Sequence, residues 1–345
     1  MTGRLTIEPA CLPLLHGALP HEHVGPAFEL ARRAGPILAW PQLPRRAASE
    51  QSLTQMAIGF PGVVFPEGQQ LPEVDTELAR REISRLEIAY LTRSPLYGAL
   101  AADMSLGLTE VIRQRDLLRD VALLKGHVLG PISAAALLTD QARRPILYDE
   151  KLFEALAQHI QLRAAWQERL LRELKLPTLI CLDEPLFEMG DIPFFPYSWE
   201  VLGERLHTVL DGLEGARGIL AGGGAAWPRL LDLPFDVVII TPAAARRASA
   251  DPAQVAAFLE RGGAFGLAIC PVQAEQVSRT TPQALVERVG QTARRLVGQA
   301  GDVSALLRRC FLTPADTLGT LSVSAAEASI DLLGATSALA RQTYG

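Results

Sequence analysis

The chain has 345 residues, 48% of them apolar, and a formal net charge of −5. That is enough apolar material to bury a large core, such as one barrel of ordinary size with an insertion. Acids and arginines are interspersed without a basic block, and lysine occurs only at 125, 151 and 175. Nothing in this pattern calls for nucleic acid or an anionic membrane as partner.

Residues 1–20 lack a basic segment followed by a long apolar core and a cleavage site, and no later run approaches the roughly 20 apolar residues of a membrane span. The expectation is a cytoplasmic protein. The four cysteines, at 11, 181, 270 and 310, sit far apart in apolar stretches without CxxC spacing. This predicts reduced, buried thiols rather than a disulfide frame.

In chain order, eight short apolar segments read as strands: 11–19, 36–41, 120–128, 178–183, 216–222, 236–241, 264–270 and 310–313. Between them, 149–175, 199–213, 252–261, 282–298 and 323–341 carry apolar residues at spacings of three and four, the mark of amphipathic helices. Strands without strict alternation, alternating with helices, indicate a parallel sheet covered on its outer face. Eight such units predict an α/β fold, a (β/α)8 TIM barrel, as a single domain over 1–345. One connection is out of proportion. Residues 44–119, between the second and third strands, hold Pro61-Gly62, Pro66-Glu67-Gly68 and a helix at about 73–92. Loops of that length are seldom structureless, so this is expected to be an ordered insertion, either over the barrel mouth or packed outside it.

The chemistry is expected at the strand ends. The run 178–187 stops on adjacent carboxylates, Asp183 and Glu184, before Pro185. Neighbouring residues on a strand point in opposite directions, so only one of the two enters the lumen. A carboxyl held among apolar walls can act as acid or base, or grip an ammonium or a pterin-like NH edge. Alternatively it caps a following turn. His21, in His16-Gly17-Ala18-Leu19-Pro20-His21-Glu22-His23, can move a proton or touch substrate, and a lone His-x-His is weak support for metal. Trp40, Gln42, Arg45 and Arg46 end the second strand with a ring, an amide and two guanidiniums, a set suited to a planar or carboxylate-bearing ligand. Lys125 and His127 share parity on the third strand, facing either inward or outward, and Ser133 follows Gly130-Pro131 at a helix start. Gly222-Gly223-Gly224 is either an anion-binding loop or a simple turn. Cys270 closes one strand and Cys310 opens the next, so the two cannot pair. Asp316, after the last strand, either rims the same mouth as Asp183 or caps the next helix.

Taken together, Gly17-Ala18-Leu19-Pro20-His21, Trp40-Pro41-Gln42-Leu43-Pro44-Arg45-Arg46, Lys125-Gly126 with Gly130-Pro131-Ile132-Ser133, Arg144-Pro145-Ile146-Leu147-Tyr148-Asp149, Asp183-Glu184-Pro185 and Thr313-Pro314 resemble, in order and spacing, compact members of the superfamily of cobalamin-independent methionine synthase and uroporphyrinogen decarboxylase. The resemblance covers nearly the whole chain. It implies a (β/α)8 barrel, methyl transfer to a thiol activated by zinc, and a folate or a corrinoid as methyl donor. The zinc ligands, however, are replaced. Aligning on Gly223 and Trp227 puts Leu220 and Gly222 at the His-x-Cys positions, the acidic position falls near Thr241, and the late cysteine falls on Asp316. Ala18 stands where the family has a serine that contacts an amino-acid carboxylate. The expectation is therefore a methionine-synthase-like, methyltransferase-related protein with a degenerate zinc site and no bound metal. It would take a small carboxylated or pterin-like ligand, with a corrinoid protein as a further implied partner. The alternatives are a metal-free lyase of the uroporphyrinogen-decarboxylase kind and a non-catalytic binding relative.

Overall fold

The computed structural model describes residues 5–67, 71–193, 195–221, 224, 226–298 and 301–344. Among these, ten strands form in chain order: β1 (Ile37–Ala39), β2 (Val63–Val64), β3 (Glu73–Val74), β4 (Leu123–Leu129), β5 (Thr139–Asp140), β6 (Thr178–Glu184), β7 (Ala216–Ala221), β8 (Val237–Ile240), β9 (Ala264–Cys270) and β10 (Cys310–Pro314). Seven of them make one curled sheet in the order β1-β4-β6-β7-β8-β9-β10, every pair parallel. β2, β3 and β5 form a separate three-stranded sheet.

Side-chain alternation divides the main sheet into two layers. One face gathers Ile37, Leu123, Leu179, Cys181, Ala216, Val237, Ile239, Ala264, Ala268 and Phe311 into a compact inner cluster. The other packs Leu124, Val128, Ile180, Leu182, Ile219, Val238, Phe265, Leu267 and Leu312 against the helices in a much larger one. Being buried on both faces explains why the strands read as continuous apolar runs.

The helices follow their sequence signals. Asp149 accepts from the Leu152 N–H at 3.1 Å to start Glu150–Arg172, and Asp75 caps Thr76–Leu91 through the N–H groups of Glu77 and Leu78, each at 3.0 Å. Pro252 and Pro282 open their helices directly after capping Asp251 and Thr281. Trp199–Leu210 and Val323–Tyr344 complete the expected set. No helix of the described residues is long and apolar enough to cross a membrane. All four cysteines are buried free thiols.

The first expected strand is a correction, because 11–19 forms no regular strand. Pro13 lacks an N–H, Ala10 and Cys11 take left-handed backbone (φ 38 and 59), and Gly17 has φ 131. The segment is instead tied at two places. Near its start Cys11 and Leu14 donate to the carbonyls of Cys310 (2.7 Å) and Leu312 (2.9 Å), and Leu312 donates to Leu12 (3.0 Å). Near its end Gln42 donates to Gly17 (3.1 Å) and Leu19 to Gln42 (2.9 Å). It therefore bonds both edges of the seven-stranded sheet without joining it as an eighth strand.

Residues 44–119 carry Ser52–Ala57, Thr76–Leu91 and Leu106–Arg113 as helices, together with β2 and β3. They are seated tightly. A Cβ on Gly107 would strike the Pro41 carbonyl, and one on Gly98 would strike the backbone of Leu162 and Arg163. Gly98→Ala is expected to destabilise the fold by about 1–3 kcal/mol. In urea unfolding this reads as a lower midpoint at unchanged slope; an unchanged midpoint would mean that the segment does not bear on the long helix there.

Candidate functional site

The two carboxylates at the end of β6 take opposite faces. Glu184 turns outward and is fully buried. Its Oε1 accepts from the Ile132 N–H (2.9 Å), and its Oε2 accepts from the Ser133 N–H (2.8 Å) and the Ser133 hydroxyl (2.6 Å). The Ser133 oxygen in turn accepts from the Leu186 N–H at 2.9 Å. This carboxylate thus ties the first turn of the helix Pro131–Leu137 to the end of β6, using donors that a helix start leaves open. Burial pushes Glu184 up to about 7, against the pull of the Ser133 and Ile132 donors.

Asp183 shares the inner face with Leu179 and Cys181. Burial raises it to about 6, and the charge of Lys125 offsets part of that rise. Lys125 and His127 lie on the same inner face, one strand away. The Lys125 ammonium donates to the His16 carbonyl at 2.6 Å, and its side chain is 1% exposed. The His127 ring stacks on Trp40 (centroids 4.2 Å apart, planes 18° apart) and closes onto Gly17, where a Cβ would collide with it. Among the described residues neither ring nitrogen of His127 has a partner, and the Nε2 of His16 has none either. Burial first, then Lys125, holds both imidazoles far below the usual range, His16 at about 3. Both are neutral at physiological pH.

The backbone around His127 explains Trp40. β1 pairs with β4 only as far as Ala39 and Lys125, and the chain beyond then turns to pair Gln42 with Gly17. The His127 N–H and C=O, which point to that side, are left without a strand. Gln167, on Glu150–Arg172, supplies both partners: its Oε1 accepts from the His127 N–H (3.2 Å) and its Nε2 donates to the His127 carbonyl (2.9 Å). The same Oε1 accepts the Trp40 indole N–H at 3.1 Å.

A narrow cavity opens here, lined by Gln42, Ser52, Gln55, His127, Arg163 and Asp183 among others. Its free volume, about 10 Å³, takes one water at most. Gln42 donates to Gln55 (2.7 Å) and accepts from Ser52 (3.1 Å). Of the other expected residues, Arg45 is exposed and donates to the Thr320 carbonyl at 2.7 Å, while Arg46 pairs with buried Glu50 at 2.8 Å. Asp316 is exposed and accepts from the Thr317 N–H at 2.7 Å. His21 is buried with Nδ1 unpartnered; burial lowers it, opposed by Glu327. None of these four lines the cavity. Gly222 and Gly223 lie outside the described residues. A far larger cavity, about 530 Å³, lies near Cys11, Arg308 and Arg341, toward the amino end of β10 and away from this cluster.

His16, Ser52, Gln55, Arg163 and Gln167 were not singled out by the sequence. The available signal was Arg163 and Gln167 at i and i+4 with His159 one turn before, a spacing that also describes a solvated helix face.

No protein-family model matches the chain, and no functionally curated protein matches it. Among solved structures it is similar to a candidate vitamin-B12-independent methionine synthase from Listeria monocytogenes (14% identity, 69% of each chain, TM-score 0.47). It is also similar to a methyltransferase from Methanosarcina mazei (14% identity, 88% of this chain and 81% of that one, TM-score 0.49).

Replacing Gln167 by Met strands three buried polar groups and is expected to cost about 3 kcal/mol or more in urea unfolding. Ser133→Ala tests Glu184. A carboxyl raised in the fold contributes stability below its ordinary value of 4.5 and loses it as pH rises through about 7. Removing the hydroxyl that lowers Glu184 extends that loss upward, so the variant's deficit, about 1–3 kcal/mol, is expected to be larger at about pH 8 than at about pH 5. A deficit independent of pH would separate Ser133 from the titration of Glu184.

Proposed function

We propose that the chain is a methyltransferase-related (β/α)8 barrel protein, in which 11–19 stands as a degenerate first strand and 44–119 as an insertion within one domain. Its ligand, small and carboxylated or pterin-like, meets the protein at the carboxyl ends of the strands. One observation carries this reading: Asp183, Lys125, His127 and His16 converge there on the inner face, with three imidazole nitrogens unpartnered. Strand ends of this kind are where barrels keep their chemistry.

Within this reading Asp183 holds or moves the proton. At about 6 it is mostly carboxylate at neutral pH, with the acid form within easy reach, which suits a group that takes up and returns a proton. Lys125 supplies positive charge beside it. Neutral His127, fixed in orientation by Trp40 and Gln167, offers one donor and one acceptor. Glu184 acts through Ser133 to hold the mouth in shape. Gln42 lines the cavity, and Trp40 backs the His127 ring. A space of about 10 Å³ cannot admit a pterin ring, so only an end group reaches Asp183 and the body of the ligand lies above.

The positions at which the resemblance implies zinc do not fit that ion. Leu220 offers only hydrocarbon, the Thr241 hydroxyl accepts from the Ala244 N–H at 3.0 Å, and Asp316 is exposed. No step is routed through a metal, and a methyl acceptor here would have to arrive already activated.

The test is a thermal-shift screen of methyltetrahydrofolate, methylcobalamin, homocysteine and porphyrinogens, followed by turnover with the class that binds. One-carbon ligands are expected to stabilise the chain, and Asp183→Asn to lower turnover by about 10²–10⁴-fold while leaving the fold intact. Stabilisation by porphyrinogens alone would replace this reading by the lyase, and binding without turnover by the non-catalytic relative.

A further inference from the structure

Arg163 is 1% exposed, yet it has no carboxylate within 4.0 Å among the described residues. One guanidinium nitrogen, Nη2, donates to the Ile58 carbonyl and lies 3.5 Å from His159 Nε2; among the described residues Nε and Nη1 have no partner. Its neighbour one turn back does not compensate it. His159 Nε2 lies 3.0 Å from the Met56 carbonyl and therefore carries the proton, and the ring is neutral, held by burial and by Arg163 at about 3. An unpaired buried charge is costly to a fold and is normally matched by an ion pair or a bound counter-ion. Burial brings Arg163 down to about 9, so it remains a cation at neutral pH.

This cation lines the same narrow cavity as Gln42, Ser52, Gln55 and Asp183. The open donors there belong to Arg163 and to Gln42 and Gln55, which each spend one amide N–H, on the Gln55 oxygen and the Met104 carbonyl. Asp183 and His127 put acceptors on the same wall, yet neither bonds Arg163 among the described residues, and Asp183 forms no ion pair with it within 4.0 Å. A lone guanidinium with open N–H groups suits a planar oxyanion, which Arg engages through two parallel N–H groups. The volume admits one oxygen of a small head group, and the rest of that group lies above.

We infer that this cavity is a carboxylate-binding site, with Arg163 as its charged anchor and Gln42 and Gln55 as supporting donors. Arg45 and Arg46 are already engaged elsewhere, with the Thr320 carbonyl and Glu50. The carboxylate is either a free small anion or the acidic end of a longer ligand. The inference concerns Arg163 and does not require Asp183 to act in catalysis.

The full chain is heated in sodium formate, acetate and succinate against sodium chloride at equal ionic strength. A saturable rise in unfolding temperature is expected with the carboxylates, and its apparent affinity is expected to fall at least about tenfold in Arg163→Met. If acetate outperforms succinate, a free small anion is the occupant; if succinate binds tighter, the site takes the head group of a longer molecule. Should Arg163→Met fail to fold, Arg163→Lys decides, because it keeps the charge and loses the fork: an affinity weakened at least about threefold supports the site, and an unchanged one overturns it. No saturation in the unmodified chain, or an equal rise in Arg163→Met, overturns it too. Asp183→Asn removes the like charge that lines the same cavity, so the anion response is expected to be at least as strong while turnover falls, and the two readings fail separately.

Discussion

The side chain of Gln167 does the work of a missing strand. Where β1 leaves β4 after Ala39, the backbone of His127 faces a gap, and a buried peptide group without partners is more than a marginal fold can leave unmet. One amide answers the N–H and the carbonyl together and takes the Trp40 indole as well. The gap exists because Gln42 pairs with Gly17 instead. The same divergence of chains brings the ring of His127 between Trp40 and Gly17 and opens the cavity beside Asp183. Architecture and candidate site therefore share one cause.

Much of this was legible in the residues. The apolar runs anticipate β1, β4 and β6 to β10, and the helical spacings anticipate Glu150–Arg172, Trp199–Leu210, Pro252–Glu260, Pro282–Val297 and Val323–Tyr344, since local pattern and tertiary burial agree there; the short helices Pro242–Arg247, Ala274–Arg279 and Val303–Arg308 carried too few turns to show a period. The parity rule established that only one of Asp183 and Glu184 enters the inner face. Which one does so depends on the register of β6 against β4, a non-local pairing that a single sequence does not display. The failure at 11–19 is instructive. Its composition is that of a strand, but Pro13 and the left-handed Ala10 and Cys11 allow hydrogen bonds only at intervals. Arg45 and Arg46 drew notice by adjacency to a strand end, yet adjacency says nothing of what Glu50 and Thr320 bring to meet them. Arg163 passed unremarked for the converse reason. On a helix read alone, His159, Arg163 and Gln167 form one polar stripe; Met56 and Ile58 of the segment 44–119 cover the first two, and Trp40 and His127 cover Gln167.

The inner face holds its charges in an unusual balance. Lys125 is buried against a carbonyl, with two neutral imidazoles and a carboxyl at about 6 around it. In a medium that hydrates ions poorly, neutral imidazoles are the expected response to a fixed cation, because a second positive charge would face both burial and repulsion. The consequence is chemical. A neutral His127 can accept as well as donate, whereas an imidazolium can only donate, so the presence of Lys125 preserves the ring's two-sided capacity. Asp183 sits in the opposite situation, since burial favours its proton while Lys125 favours losing it. A ligand that excludes solvent from the cavity strengthens the first influence without altering the second. Occupancy of so small a space and the protonation of Asp183 are accordingly linked, and a bound ammonium or NH edge favours the carboxylate while an apolar end group favours the acid.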